Sequence, residues 1–165
     1  MGILIVYSSR TGNTEQVARV IAGAIPGSRV YPVGEAPRPG QGDVVFVGYW
    51  VCRGQPDEAA AGYLRGLAAC PVALFGTLAA WPDSEHAARC RARAEALVLE
   101  PERGNTVLGS FLCQGRMSGA PHHPMTPERR ARLDEAAKHP NEADFARARA
   151  FALDALARRP APHPA

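Results

Sequence analysis

Strand-like apolar runs occur at five places along the chain. A strand that faces solvent on one side alternates apolar and polar residues, whereas a strand covered on both sides is apolar at every position. The runs Val44-Val45-Phe46-Val47 and Val72-Ala73-Leu74-Phe75 are of the second kind. They predict a parallel sheet between two layers of helices. The predicted strands are Ile3–Tyr7, Arg29–Val33, Val44–Tyr49, Val72–Thr77 and Thr106–Gln114.

Between these runs the apolar positions follow a helical period. In the first such segment they recur at i, i+3, i+4, i+7 and i+8, which is the stripe of a helix packed on a sheet. The alternation of strands and helices predicts an α/β fold, a doubly wound three-layer αβα sandwich with a five-stranded parallel sheet. The stripe consists of Val17, Val20, Ile21, Ala24 and Ile25. The helices are predicted at about 13–25, 57–69 and 83–99.

Two more helices are predicted in the C-terminal third from their capping sequences. Thr126-Pro127-Glu128 places a capping hydroxyl before a proline, whose missing N–H costs nothing at a helix start. Asn141-Glu142-Ala143-Asp144 combines a capping amide with acidic residues. Since 165 residues suit a single core, we predict one domain over residues 1–159. The proline-rich tail 160–165 is predicted to be disordered.

Composition narrows the class of protein. The charged fraction of 21% and the hydrophobic fraction of 46% are ordinary for a globular domain. We found no apolar stretch long enough to span a bilayer and no basic flank typical of a signal peptide, so we expect no membrane partner and a cytoplasmic location. The net charge of +3 comes from arginines mixed with acidic residues, which argues against a nucleic-acid partner. The wide spacing of Cys52, Cys70, Cys90 and Cys113 predicts free thiols and no metal site.

Three predicted strands lead into loops with candidate binding residues. In such sheets, ligands bind beyond the carboxyl ends of the strands. The loop from Ser8 to Thr14 is rich in hydroxyls and precedes a helix, whose free N–H groups and dipole favour a phosphate. The other two loops contain Trp50 and Trp81, the only tryptophans of the chain. Each ring alone could cover the core, but two of them near one phosphate loop favour a flat ligand that stacks on aromatic residues.

Motifs that are missing from the sequence restrict the kind of phosphate. The pattern G-x-x-x-x-G-K-[ST] for a nucleotide triphosphate does not occur, and no G-x-G-x-x-G follows a strand. A monophosphate remains, since hydroxyl and backbone donors can hold it with charge-assisted hydrogen bonds. No catalytic residue can be assigned from the sequence.

The stretch Ser9-Arg10-Thr11-Gly12-Asn13-Thr14-Glu15 resembles the FMN phosphate loop of flavodoxins. The order of elements and the two tryptophan loops are also similar to that family, over most of the chain. Gly48-Tyr49-Trp50-Val51 and His123-Pro124-Met125-Thr126-Pro127-Glu128-Arg129 are similar to a bacterial subgroup of flavodoxin-domain proteins. The resemblance implies a sheet of order 2-1-3-4-5 and FMN bound without a covalent bond.

The resemblance also implies which residues bind the cofactor: the first loop would hold the phosphate, and the two tryptophan loops would enclose the ring. The first loop comprises Ser8, Ser9, Arg10, Thr11, Gly12, Asn13 and Thr14. The second comprises Tyr49, Trp50, Val51, Cys52, Arg53 and Gly54. The third comprises Thr77, Leu78, Ala79, Ala80 and Trp81.

The sequence differs from the classical members of that family in three ways. They are acidic, whereas this chain is basic, and we expect Arg10 and Arg53 to favour the anionic reduced flavin. Val51 stands where these proteins often have a glycine that flips, so we expect little stabilisation of the half-reduced flavin unless Gly54 supplies the flip. The segment Gly115–Arg129, with His122, His123 and Met125, has no counterpart in short flavodoxins. It could close over the flavin edge and deliver a proton from a histidine, or it could be a plain connection.

Three functions stay open at this point. The chain could be an FMN electron carrier between a donor reductase and a redox partner protein. It could instead be an FMN-dependent NAD(P)H oxidoreductase that acts on a small acceptor. The third alternative is a flavodoxin-like fold that binds no flavin and serves for interaction, since fold alone does not establish function.

Overall fold

We analysed a computed structural model of the chain, which describes residues 1–119 and 123–160. The strands are β1 (Ile3–Tyr7), β2 (Arg29–Pro32), β3 (Val44–Cys52), β4 (Gln55–Pro56), β5 (Pro71–Leu78) and β6 (Thr106–Gln114). The helices are α1 (Asn13–Ala24), α2 (Glu58–Arg65), α3 (Glu85–Val98), α4 (Pro127–Ala136) and α5 (Glu142–Ala157). Short 3-10 turns occur at Val33–Glu35 and Pro101–Arg103.

Five strands form a parallel sheet in the order β2-β1-β3-β5-β6, and β4 adds a two-residue antiparallel pairing to the end of β3. Counted without β4, this is the order 2-1-3-4-5. The predicted fold class is therefore confirmed. The pairing of β1 with both β2 and β3 places the reversal of strand order beside β1, which is where ligands bind in folds of this class.

The core has two halves, one on each face of the sheet. On one face α1 and α5 contribute Val17, Ile21, Ala148 and Ala152, all fully buried against β1, β3 and β5. On the other face the buried residues of α2 and α3 pack on the opposite sides of the same strands. Because both faces are covered, the central strands need apolar side chains at successive positions, as the sequence pattern predicted.

The predicted helix starts in the C-terminal third are those of the structure. Thr126 accepts a hydrogen bond from the Arg129 N–H at the start of α4, with Pro127 in the first position. Asn141 and Asp144 form a reciprocal capping box at the start of α5. Such caps typically contribute about 1 kcal/mol each. The prediction of a single domain over residues 1–159 stays a prediction, and the tail 161–165 lies outside the described residues.

No helix in the described part of the chain is both long and apolar enough to cross a membrane. The four cysteines are free, and three of them are buried. Burial raises the pKa of the Cys113 thiol to about 12 and that of Cys70 to about 11. These two thiols therefore stay protonated and act as small apolar side chains of the core.

Candidate functional site

A cavity of about 430 Å³ opens at the carboxyl edge of the sheet. Its volume lies within the usual range for a small-molecule site. Four segments of the chain form its walls, and each follows or ends a parallel strand. The lining residues are Arg10, Thr11, Asn13 and Thr14; Trp50, Val51, Cys52 and Arg53; Thr77, Leu78 and Ala79; and Gly115, Arg116, Met117 and Ser118.

The first wall is the turn from β1 into α1. Gly12 precedes the helix in a left-handed conformation, with φ of 88°, and provides no side-chain cap. The Gly12 N–H donates instead to Ser9 Oγ at 3.1 Å, which shapes the turn. The first backbone N–H groups of α1 are thus left for an acceptor outside the helix, where the helix dipole favours an anion.

A buried carboxylate joins the first wall to the second. Asp57, which is 4% exposed, accepts hydrogen bonds from Ser8 Oγ at 2.6 Å and from the Trp50 N–H at 3.2 Å. It also caps α2 through the Ala60 N–H. Sequence reasoning missed Asp57 as a residue of the site. An aspartate before an alanine-rich helix signals a cap, but nothing in the spacing shows that it also reaches Ser8.

The second wall is a β-hairpin and not an open loop. β3 continues to Cys52, and a two-residue turn of Arg53 and Gly54 leads into β4. Both turn residues have positive φ, 53° for Arg53 and 78° for Gly54, which is the pattern of a type I′ turn. Val51 lies in the extended strand, so the left-handed backbone occurs at residues 53 and 54.

A hydrogen bond from the helix layer of α2 and α3 holds the hairpin in place. Arg93 of α3 donates from Nη1 to the Gly54 carbonyl at 2.9 Å. Next to the hairpin, the Arg10 guanidinium lies over the face of the Trp50 ring, 5.7 Å from its centroid. A cation–π contact of this kind contributes about 0.5–1 kcal/mol at an exposed site. It connects the first and second walls at the surface of the cavity.

The third wall is the end of β5. Thr77 is 3% exposed, and its hydroxyl is 2.9 Å from that of Thr14, so these two cavity residues already satisfy each other. Leu78 and Ala79 complete this wall. Thr14 and Thr77 thus fix the distance between the α1 start and β5.

Several residues named as binding candidates do not line the cavity. Tyr49 is fully buried in the core, and burial raises the pKa of its hydroxyl. Trp81 is 43% exposed. Tyr49 alternates with Trp50 along β3, and this alternation turns it to the other face of the sheet. The candidates outside the lining are Ser8, Ser9, Gly12, Tyr49, Gly54, Ala80 and Trp81.

The fourth wall follows β6 and belongs to the segment Gly115–Arg129, none of whose residues the sequence assigned to cofactor binding. Three hydrogen bonds fasten it: Gly115 N–H to the Leu78 carbonyl at 2.9 Å, Asn13 Nδ2 to the Arg116 carbonyl at 2.8 Å, and Arg116 N–H to the His139 carbonyl at 3.0 Å. A side chain at Gly115 would place its Cβ 2.7 Å from Asn13 Nδ2, so only glycine allows this approach.

The hypothesis that the segment Gly115–Arg129 could close over a ligand edge concerns this wall. Its first residues, from Gly115 to Ser118, line the cavity. His123 is exposed and Met125 half-buried, and neither is a lining residue. His122, a candidate proton donor, lies outside the described residues.

Behind the fourth wall lies a cluster of charged side chains. Asp144 is fully buried and accepts from Arg147 Nη2 and shares a 2.5 Å hydrogen bond with His139 Nδ1. His139 Nε2 lies 3.2 Å from Glu135 Oε1. Burial disfavours the charged imidazole, but the hydrogen bonds and negative charges of Asp144 and Glu135 outweigh it and raise the pKa of His139. The cluster therefore supports the residue whose carbonyl holds Arg116.

Comparison with known proteins places this chain in a family. The sequence profile of the flavodoxin domain matches residues 4–153. The flavodoxin-like domain-containing protein BilS of Clostridioides difficile is 28% identical over 173 residues, which cover 94% of this chain and 97% of BilS.

Solved structures agree with the fold. The flavodoxin of Streptococcus pneumoniae TIGR4 is similar with a TM-score of 0.59 and 14% identity, over 96% of this chain and 100% of that one. A Lactobacillus acidophilus flavoprotein in complex with FMN is similar with a TM-score of 0.51 and 17% identity, over 67% of this chain and 92% of that one. Because the family profile matches most of its length, the chain belongs to the flavodoxin domain family.

Proposed function

We propose that this protein binds FMN without a covalent bond in the cavity and carries electrons between a donor reductase and a redox partner protein. The observation that carries the proposal is the four-walled cavity at the start of α1, in a chain of the flavodoxin domain family. The flavoprotein of similar fold that holds FMN supports the choice of cofactor.

The first wall fits a monophosphate. The start of α1 has no side-chain cap, and Thr11 and Arg10 line the cavity beside it. Backbone N–H groups, a hydroxyl and a guanidinium are the donors that a phosphate dianion accepts from. In this proposal the phosphate takes the place of the missing cap.

The other walls fit the remainder of the cofactor. Asn13 is 5% exposed, and its Oδ1 is a buried acceptor with no hydrogen-bond partner among the described residues, so a ligand hydroxyl would satisfy it. Trp50, Val51 and Leu78 offer apolar surface to a flat ring. When bound, FMN supplies one- and two-electron transfer, whereas the protein holds and orients it and limits its contact with water.

A titration with two flavins tests the cofactor. Purified protein, freed of flavin, is mixed with FMN or with riboflavin, and binding is followed by flavin fluorescence and visible absorbance. If the phosphate lies on the first wall, FMN binds at least about 100-fold more tightly, because about 3 kcal/mol of charge-assisted contacts are lost without it. Equal affinity for both would contradict the assignment of the first wall, and no uptake of FMN would contradict the function as a whole.

The FMN-loaded protein also separates a carrier from an NAD(P)H-dependent reductase. A carrier needs a separate reductase, so its yellow colour persists when NADPH or NADH alone is added without oxygen. Rapid bleaching would instead establish direct reduction by the nicotinamide nucleotide.

We infer the cytoplasm as the location, since all four cysteines are free and disulfides form in oxidising compartments.

A further inference from the structure

The mouth of the cavity is basic. Arg10, Arg53 and Arg116 come from three different walls, all three are exposed, and no acidic side chain of the described chain lines the cavity. We call these three residues the basic mouth. The His139 carbonyl accepts from the Arg116 N–H, and the Asn13 side-chain amide donates to the Arg116 carbonyl. The backbone that carries this guanidinium is therefore held in place.

The charges of the basic mouth are not compensated within the described part of the protein. Some exposed arginines elsewhere have carboxylate partners, such as Arg19 with Glu15 and Arg158 with Asp154, whereas Arg38 and Arg159 have none within the described residues. Within residues 1–119 and 123–160, none of the ten ion pairs within 4 Å involves an arginine of the mouth. A bound phosphate on the first wall would engage Arg10, and the charges of the other two walls would still face outward.

Apolar side chains accompany these charges. Met117, next to Arg116, is 41% exposed, and both Met117 and Trp50 line the cavity. Arginine, methionine and tryptophan are enriched in protein interfaces, whereas acidic residues are depleted in their centres. These charges are exposed and lie beside apolar side chains at the surface of the cavity. The combination therefore favours a protein surface as the occupant.

We propose that the basic mouth docks a redox partner protein that presents carboxylates around its own redox centre. The inference rests on the proposed electron-transfer function and adds the charge of the partner. Complementary charge would steer the two redox sites toward each other and set the salt dependence of the encounter.

The test uses the FMN-loaded protein, labelled with ¹⁵N, and two protein probes of opposite charge. One is an acidic plant-type [2Fe–2S] ferredoxin and the other is basic cytochrome c. Binding is read from shifts and broadening of amide signals. The variants are Arg53→Glu and Arg116→Glu at saturating FMN, with occupancy read from visible absorbance. Arg159→Glu is the matched control, because Arg159 lies near Met1 at the opposite edge of the sheet.

We expect the ferredoxin to perturb residues 50–54 and 115–118 and to bind at least about tenfold more weakly at 300 mM than at 50 mM NaCl. Each mouth variant weakens binding by about fivefold or more, whereas Arg159→Glu changes it by less than about twofold. Cytochrome c leaves the mouth unperturbed.

Three results would overturn the inference: no ferredoxin binding at low salt, equal loss in the control variant, or perturbation of the mouth by cytochrome c. Occupation of the mouth by citrate, with no binding of the acidic protein, would also overturn it in favour of a small anionic substrate. If the purified protein takes up no FMN, that result contradicts the proposed function and is distinguishable from the three results above, which are obtained with FMN bound.

Discussion

At the scale of single residues, Asp57 connects more of the site than its position before a helix suggests. Its two oxygens accept from Ser8, Trp50 and Ala60, which belong to the loop after β1, the hairpin strand and α2. Because the group is buried, a lost partner would leave a donor unsatisfied at a cost of about 1–3 kcal/mol.

We expect Asp57→Ala to weaken FMN binding by about tenfold and to lower the free energy of unfolding by about 2 kcal/mol. Fluorescence titration and urea denaturation measure the two effects. Thr126→Ala is the control, because it removes the cap of α4 away from the cavity and should cost about 1 kcal/mol with unchanged FMN affinity. Equal FMN affinity in wild type and Asp57→Ala would show that the two walls are held by other contacts.

Arg53 is one of the two residues, with Arg10, for which sequence reasoning expected an effect on the reduction potential. It lines the cavity, and an exposed cation close to the flavin would stabilise the reduced, anionic form by about 0.5–1 kcal/mol. Arg53→Ala should therefore lower the midpoint potential of the second electron by about 20–40 mV, measured by spectroelectrochemistry. Arg159→Ala should leave the potential unchanged. If both variants keep the wild-type potential, Arg53 is only a solvated cation of the turn.

At the scale of elements, the sequence supports prediction where the signal is local. The consecutive apolar positions of β3 and β5 predicted the parallel sheet, and the caps at Thr126 and Asn141 predicted α4 and α5. β4 has only two residues, so it carries no periodicity, and the hairpin was missed. The contribution of Arg53 to the turn was also hidden, because glycine or asparagine usually fills such positions.

The candidate site was less predictable than the fold, because the contacts that shape it are not local in the sequence. Loops after β1, β3 and β5 could be recognised from hydroxyls and tryptophans, and residues from each line the cavity. The contacts that fix their distances, such as Ser8 to Asp57 and Asn13 to Arg116, join residues 49 and 103 positions apart. No spacing rule reports contacts of such separation, so the role of Asp57 and the contact of Arg116 with Asn13 emerged only from the structure.

The fourth wall should be sensitive to the size of residue 115. Gly115→Ala would bring a methyl group to 2.7 Å from Asn13 Nδ2, so the wall or the amide must move. We expect FMN binding to weaken by about tenfold and the free energy of unfolding to fall by about 1–3 kcal/mol. Gly62→Ala in α2 is the matched control: a Cβ there meets nothing within 4 Å, and stability should rise by about 0.5–1 kcal/mol. Unchanged FMN affinity in Gly115→Ala would contradict the close approach.

At the scale of the whole molecule, the cluster behind the fourth wall connects stability to pH. The raised pKa of His139 means that the folded state binds its proton more tightly than the unfolded state. The resulting stability is fully present below the unfolded pKa of about 6.5 and is lost as the pH rises through the folded value. Glu135 and Asp144 face the ring, and Lys138 and Arg147 pair with those same carboxylates.

We therefore expect His139→Gln to lose more stability at pH 5.5 than at pH 8.5 relative to wild type. Urea denaturation across this range, with the imidazole titration followed by NMR, checks the sign. His123→Gln is the control, since His123 is exposed and lies outside this ion cluster. A deficit in His139→Gln that grows toward high pH would contradict the charged state assigned to the cluster.

The four walls also bear on how the protein acquires its cofactor during synthesis. They lie between residues 10 and 118, and parallel pairing brings them together only after β6 has joined the sheet. When only the loop after β1 and the hairpin have been synthesised, the binding site is therefore incomplete. The newly made chain must complete its slow, long-range strand pairing without help from the flavin. FMN would then bind only the completed fold and stabilise it against unfolding. The melting temperature should therefore rise with the logarithm of the FMN concentration.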